Sequence, residues 1–439
     1  MTTPQATRWL LDQLPELVAK GVLPSSSADS LRLHYQQEAA PPAASSRSIA
    51  VVIFSILGGL LISAGVILLF AHNWDQLGRP ARTVLSFVPL LIGIFLTSLS
   101  LLRKNHSTAL AEGAGAFHSI AVGACIALIG QTYQLSGDFP RFVLTWMLLV
   151  LPLVYLLRST AVAILYVAGI STWAGNEVYD RATMVWLWPL LALVLPHYLQ
   201  LIRENRFSGR AWWLSLAIAL AVPVNAAFQC DRLFFVFWPT VLAGIFTSLY
   251  LAGCGWFRKP EAPRIAHPFI FVGQAGILVL TIWLSYRGAW DRSWYRSFSE
   301  FSFRDWMIAE GVAYGCCALA LVLLALGWMR KANANFTAGL LPLIIIGGSY
   351  LLRFGVGWTI LLTNLYTLAL GIVTIARGIR DLRLASLNAG LLMLAALVIS
   401  RFFDSEIGFL FKGIAFIVVG AGFCVANVVL LKRRKMATV

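Results

Sequence analysis

Glu112, His118, His197 and Glu310 are ionisable side chains that fall inside the apolar runs of this sequence rather than between them. A titratable group in hydrocarbon is costly, so each must be a site residue, a helix end reaching for water, or half of a polar pair. Glu112 lies close to the end of its run, where a carboxylate can snorkel, and Glu310 lies where it can pair with Arg304. His197 sits near a run's end, which suits an interfacial place. His118 is the deepest of the four. A neutral imidazole hydrogen-bonded to a neighbouring helix and a proton relay both fit it, the first more simply.

A second polar group follows the run IAVGACIALI. The stretch GQTYQLSGDFPR sets Gln131, Tyr133, Gln134, Asp138 and Arg141 at a helix exit. Two other segments reach the same membrane face if the spans alternate: HNWDQLGRPAR, with Asn73, Trp74, Asp75, Arg79 and Arg82, and RFFD, with Arg401 and Asp404. Arginines and carboxylates at one depth form either an ion-pair network that pins helix ends or the wall of a site for an anionic headgroup or sugar. Together with Glu112 and His118 these are the candidate binding residues. Asp138 should lie within reach of a basic side chain, Arg141 first and then Arg79 or Arg82, and Gln131 and Tyr133 should face the bundle.

The segment RGAWDRSWYRSFSEFSFRDW alternates arginines with Trp290, Trp294, Tyr295, Phe298, Phe301, Phe303 and Trp306, as a segment lying in the headgroup layer does. A lid or docking surface is the sharper reading. Gly115, Ser119, Gly123 and Ala127 recur every four residues and form a small-residue stripe for close helix packing. The six cysteines stand apart from one another and from histidines at ligand spacing, apart from the adjacent Cys316 and Cys317, and read as small buried hydrophobes. No catalytic or cofactor motif occurs, and no metal or cofactor is implied.

The chain is 59% hydrophobic and 12% charged over 439 residues, a composition that no soluble globular surface accommodates. Its apolar runs last about 17 to 24 residues, the length of a helix crossing roughly 30 Å of hydrocarbon. The expectation is an all-α polytopic bundle of about fourteen transmembrane helices. Their limits are 49–71, 82–102, 109–131, 142–157, 160–176, 183–202, 211–229, 233–252, 267–286, 306–329, 335–352, 354–376, 384–401 and 408–431. Residues 1–40 read as a cytoplasmic helical hairpin, with Gly21 as a stop, and 41–48 as a linker. A membrane unit over 49–160, the remaining helices over 161–431 and a basic tail over 432–439 complete the division. No secretory signal is read before Ser48.

The net charge of +15 is spread in ones, twos and threes between spans, which argues for an orientation signal and against nucleic acid. Arg103, Lys104, Arg158, Arg203, Arg206, Arg210, Arg377, Arg380 and the tail fall on one side, opposed by Glu204, Glu261 and Asp381. The other side is nearly balanced. Both termini are therefore expected in the cytoplasm of a bacterial cell, with the chain in its inner membrane.

The hairpin ending in GVLP, then GGLLISAGVILLFAHNWDQLGRPAR, then ALAEGAGAFHSIAVGACIALIGQTYQLSGDFPR resembles the bacterial membrane family of domain of unknown function 2157, over about residues 8 to 160. The segment RLASLNAGLLMLAALVISRFFDSEIGFLFKGIAF is similar to the ends of longer members. The resemblance implies a membrane location and carries no activity, substrate or catalytic residue.

The function expected is binding or transport of an amphipathic or anionic envelope molecule through an outward-facing polar pocket, the lipid bilayer being the surrounding partner. The alternative is a non-catalytic scaffold for other membrane proteins, and an intramembrane enzyme stands third.

Overall fold

A computed structural model describes residues 77–102, 108–176, 181–233, 237–257, 267–290, 303–330, 336–381 and 384–402, with shorter stretches within 13–31 and 413–428. The described residues contain helices and turns and no strand. The chain divides into two compact units, Met1–Arg82 and Thr83–Val439.

In the first unit, helical residues stand on both sides of Gly21, whose φ of +68° is a left-handed conformation that glycine adopts without a Cβ penalty. Val22 N–H reaches back to the carbonyl of Leu17, and Gly21 N–H to that of Val18, so the preceding turn closes as a helix C-terminus does. The span expected over 49–71, and Asn73, Trp74 and Asp75, lie outside the described residues.

In the order of the chain the helices are α1 (Arg79–Leu102), α2 (Thr108–Tyr133), α3 (Phe139–Leu156), α4 (Thr160–Asn176), α5 (Arg181–Ala192), α6 (Leu195–Asn205), α7 (Gly209–Leu233), α8 (Trp238–Trp256), α9 (Pro268–Leu284), α10 (Phe303–Met329), α11 (Leu341–Leu351), α12 (Val356–Arg380) and α13 (Leu384–Phe402). Eight helical stretches are long and apolar enough to cross a membrane, and Pro268–Leu284, Ala338–Leu351 and Ser386–Ser400 are shorter apolar helices. The span expected over 183–202 is one of these eight, as Val185–Asn205, with a turn at Leu193 and Val194 between α5 and α6. The ring of Pro196 would meet the carbonyl of Ala192 in a continuous helix, and α5 ends at that residue.

Among the described residues of the second unit lie two large apolar cores and a small cluster around Leu387 and Leu391. One gathers Met147, Val150, Tyr166, Ile170, Leu187, Tyr198 and Leu214 from α3 to α7. The other gathers Tyr250, Ile277, Ala313, Ile345 and Leu370 from α8 to α12. Helix α9 serves both, with Phe269 and Val272 in the first and Ile270 and Ile277 in the second.

The small-residue stripe of α2 is a contact surface over most of its length. A Cβ on Gly123 would lie 2.7 Å from Trp146 Cδ2 of α3, and one on Gly115 would lie 2.8 Å from Val162 Cγ2 of α4. Trp146 Nε1 donates to the Ser119 carbonyl at 2.6 Å. Ala127 is exposed, so the stripe ends before it, and Val122, which helical phase would turn toward lipid, packs against the α3–α7 core instead. Trp290 departs from the headgroup layer expected for it. It is 5% exposed, packs on Gly348 of α11, and donates Nε1–H to the Leu284 carbonyl at 2.7 Å. An indole buried with its N–H satisfied works as a core residue. Residues 291–302 lie outside the described residues, as do the side chains of Phe303, Arg304 and Trp306. Among the cysteines, Cys125, Cys254 and Cys317 are buried as expected, whereas Cys424 is exposed.

Candidate functional site

In α2 the carboxylate of Glu112 faces the start of α4. Its Oε2 accepts from Ser159 Oγ at 2.6 Å and from Ala161 N at 2.7 Å, and its Oε1 accepts from Thr160 N at 2.9 Å. The first N–H groups of a helix have no partner within it, and a side-chain acceptor is the usual remedy. Here the acceptor comes from another helix. Ser159 Oγ also accepts from Val162 N at 3.3 Å, so α4 is capped twice.

Arg210, in the first turn of α7, completes the arrangement. Its Nε lies 3.0 Å from Glu112 Oε1 and 3.1 Å from Thr160 Oγ1, while Nη2 donates to the Arg158 carbonyl. The side chains of Arg210 and Glu112 are 34% and 23% exposed, a pair at the edge of water rather than sealed from it. Arg158 holds φ at +49°, which an L-residue with a Cβ adopts at a cost of roughly 1–2 kcal/mol.

This pair forms one wall of a cavity of about 510 Å³. Ser100 and Leu101 end α1, Thr108, Ala111 and Glu112 begin α2, Leu156 ends α3, Leu157 and Arg158 form the link, His197, Gln200, Leu201 and Glu204 lie on α6, and Arg210 begins α7. Alternate helices thus contribute opposite termini, as an up-and-down bundle requires at one of its ends. His197 is 3% exposed, and among the described residues its Nε2 has no hydrogen-bond partner. It lies near an end of the bundle, as expected, but buried within the protein rather than facing outward. The break at Pro196 starts α6 afresh and sets His197 in its first turn.

Tyr133 stands about 31 Å from Glu112 along the axis of α2, the thickness of a hydrocarbon slab. The polar cluster read from GQTYQLSGDFPR and the cavity thus occupy opposite ends of that helix. Asp138 caps α3, accepting from Arg141 N at 2.9 Å with Arg141 Nε at 3.4 Å from its Oδ2, both side chains well exposed. Tyr133 OH lies 2.9 Å from Thr83 Oγ1 and joins the far end of α2 to α1, while Gln131, Tyr133 and Gln134 are all exposed, contrary to the bundle-facing place expected for Gln131 and Tyr133. Arg82 Nε donates to the Leu77 carbonyl at 2.8 Å. Arg79 is exposed. The side chain of Arg401, and Asp404 entirely, lie outside the described residues. Of the sequence candidates among the described residues, only Glu112 lines the cavity. His118 Nδ1 lies 3.0 Å from Thr97 Oγ1, and the helices touch there, since a Cβ on Gly93 would come 2.9 Å from His118 Cα.

Arg158, Ser159, His197, Glu204 and Arg210 were legible in part. Each falls at the same end of its span as Glu112 once the spans alternate, and Glu112 needs a cation. Asn225 was missed outright: buried in α7, it donates Nδ2–H to Ser171 Oγ and to the Ala221 carbonyl, both at 2.8 Å, a polar link between α7 and α4. An asparagine within an apolar run was its signal. Among the described residues no cluster of side chains could hold a metal ion.

Apolar membrane-length helices around a polar cavity at one end of the bundle define a helical membrane protein. Residues 15–163 match the sequence profile of the family of domain of unknown function 2157, described as a predicted membrane protein. The resemblance read from the sequence stands over that stretch, which carries Glu112, Arg158, Ser159 and Thr160, whereas His197, Glu204 and Arg210 lie beyond it. No curated protein and no solved structure matches the chain.

Proposed function

We propose that this protein binds an amphipathic molecule in the cavity between α1, α2, α3, α6 and α7, with the polar end of the ligand inside and its apolar part toward the bilayer. The observation that carries the reading is His197. A buried nitrogen without a partner costs about 1–3 kcal/mol, and it lies on the wall of a cavity large enough for a headgroup. The other polar groups of the wall support this assignment. Glu112 and Arg210 satisfy each other and the start of α4, so they shape the site and leave the unmet nitrogen to a ligand.

Loop charge supports a bacterial inner-membrane location with both termini in the cytoplasm, which puts the cavity at the cytoplasmic end. The outward pocket expected from Asp138 and its neighbours has weaker support, because those of its side chains that are described are largely exposed and Asp138 is already paired with Arg141.

Filling the cavity tests the proposal. Ala111→Phe adds a ring at the cavity lining and leaves Glu112 itself unaltered. The expected result is loss of most lipid that co-purifies with the wild-type protein after extensive detergent washing, measured by mass spectrometry of extracts, with the elution volume on size exclusion unchanged. Equal lipid retention in a folded variant would contradict it.

A further inference from the structure

The charges at the cavity leave one cation and one anion without counterparts. Arg210 is engaged by Glu112, but the guanidinium of Arg158 has no partner among the described residues. Glu204 accepts from the Gln200 amide at 3.3 Å and has no cation beside it among the described residues. A purely anionic ligand would meet Arg158 but also the repulsion of Glu204, and a cationic one the reverse. A zwitterion satisfies both.

We infer that the polar end of the ligand is a phosphate and an ammonium joined by a short linker, the phosphate at Arg158 and the ammonium at Glu204. This rests on the reading of the cavity as a binding site. A guanidinium fork takes two oxygens of either a carboxylate or a phosphate. The phosphate is preferred because it has a further oxygen directed elsewhere, and His197, in the tautomer with its proton on Nε2, is the donor left unmet on the same wall. Leu101 and Leu156 line the cavity and are 41% and 55% exposed, so its apolar side continues into the lipid-facing surface. That continuity favours a headgroup still attached to its acyl chains over a free one.

The test uses the full chain in detergent and native mass spectrometry, with phosphatidylethanolamine, phosphatidylglycerol and soluble glycerophosphoethanolamine as probes. The wild type should hold phosphatidylethanolamine at least about fivefold more tightly than phosphatidylglycerol, a margin of about 1 kcal/mol. Glu204→Gln, a change of one atom at an exposed position, should erase that preference while keeping phosphatidylglycerol. Arg158→Gly should weaken both lipids. A preference for phosphatidylglycerol that Glu204→Gln does not alter, with Arg158→Gly still deleterious, would overturn the zwitterion and leave the cavity reading standing. Unchanged binding of both lipids in both variants would overturn the two together. Displacement of the lipid by glycerophosphoethanolamine at equal concentration would keep the zwitterion and overturn the lipid as its source.

Discussion

Glu112 and Arg210 differ in what their removal leaves behind, although they form one pair. Without Arg210 the carboxylate keeps three donors, two of them backbone N–H groups. Without Glu112, Ser159 Oγ–H and the amides of Thr160 and Ala161 lose their acceptor at a helix start. Each unmet polar group costs about 1–3 kcal/mol when buried and less at the edge of water. Glu112→Ala should therefore lower the melting temperature in detergent clearly more than Arg210→Ala. Equal losses would mean that the ion pair, and not the cap, is the working contact. Arg158 gives the complementary case. Its left-handed φ favours glycine, so Arg158→Gly should leave the melting temperature unchanged or raise it, by up to about 1 kcal/mol of stability, even as it weakens the ligand. A strong loss of stability would show that the guanidinium has a structural role.

Between elements, the contact of α2 with α3 is set by the absence of a side chain at Gly123. Four carbons placed where the Trp146 ring lies must displace it, and overpacking of this kind costs about 1–3 kcal/mol. Gly123→Leu should lower the melting temperature measurably, whereas Ile120→Leu, at a position 58% exposed on the same helix, should not. Equal tolerance would remove α2 from the packed core. The element scale is also where the sequence was most legible. The expected 160–176 helix is α4 to the residue, because the charges of Arg158 and Glu177 bound the run. The fate of His197 and Trp290 was less legible. Whether an imidazole or indole near a helix end meets headgroups or a core depends on which helix lies beside it, and a periodicity carries no information about neighbours. The same holds for Glu112: its depth was apparent, but its partners lie 47 to 98 positions away along the chain.

For the whole molecule, orientation is the property that places the cavity on one side of the membrane. Cysteines introduced at Ser208 and at Ser299 in a cysteine-free background should respond oppositely to an impermeant maleimide on intact cells, Ser299→Cys being labelled and Ser208→Cys protected until the membrane is opened. The reverse pattern would put the cavity on the outside. The central claim, that the cavity holds a selected amphipath, is most directly tested by photocrosslinking in native membranes. A diazirine side chain at Gln200, on the cavity wall, should capture lipid adducts enriched in one headgroup class over the bulk membrane, while the same group at Ile120, on the lipid-facing side of α2, should capture lipids in bulk proportion. Bulk proportions at both positions, or adducts at Ile120 and none at Gln200, would contradict it.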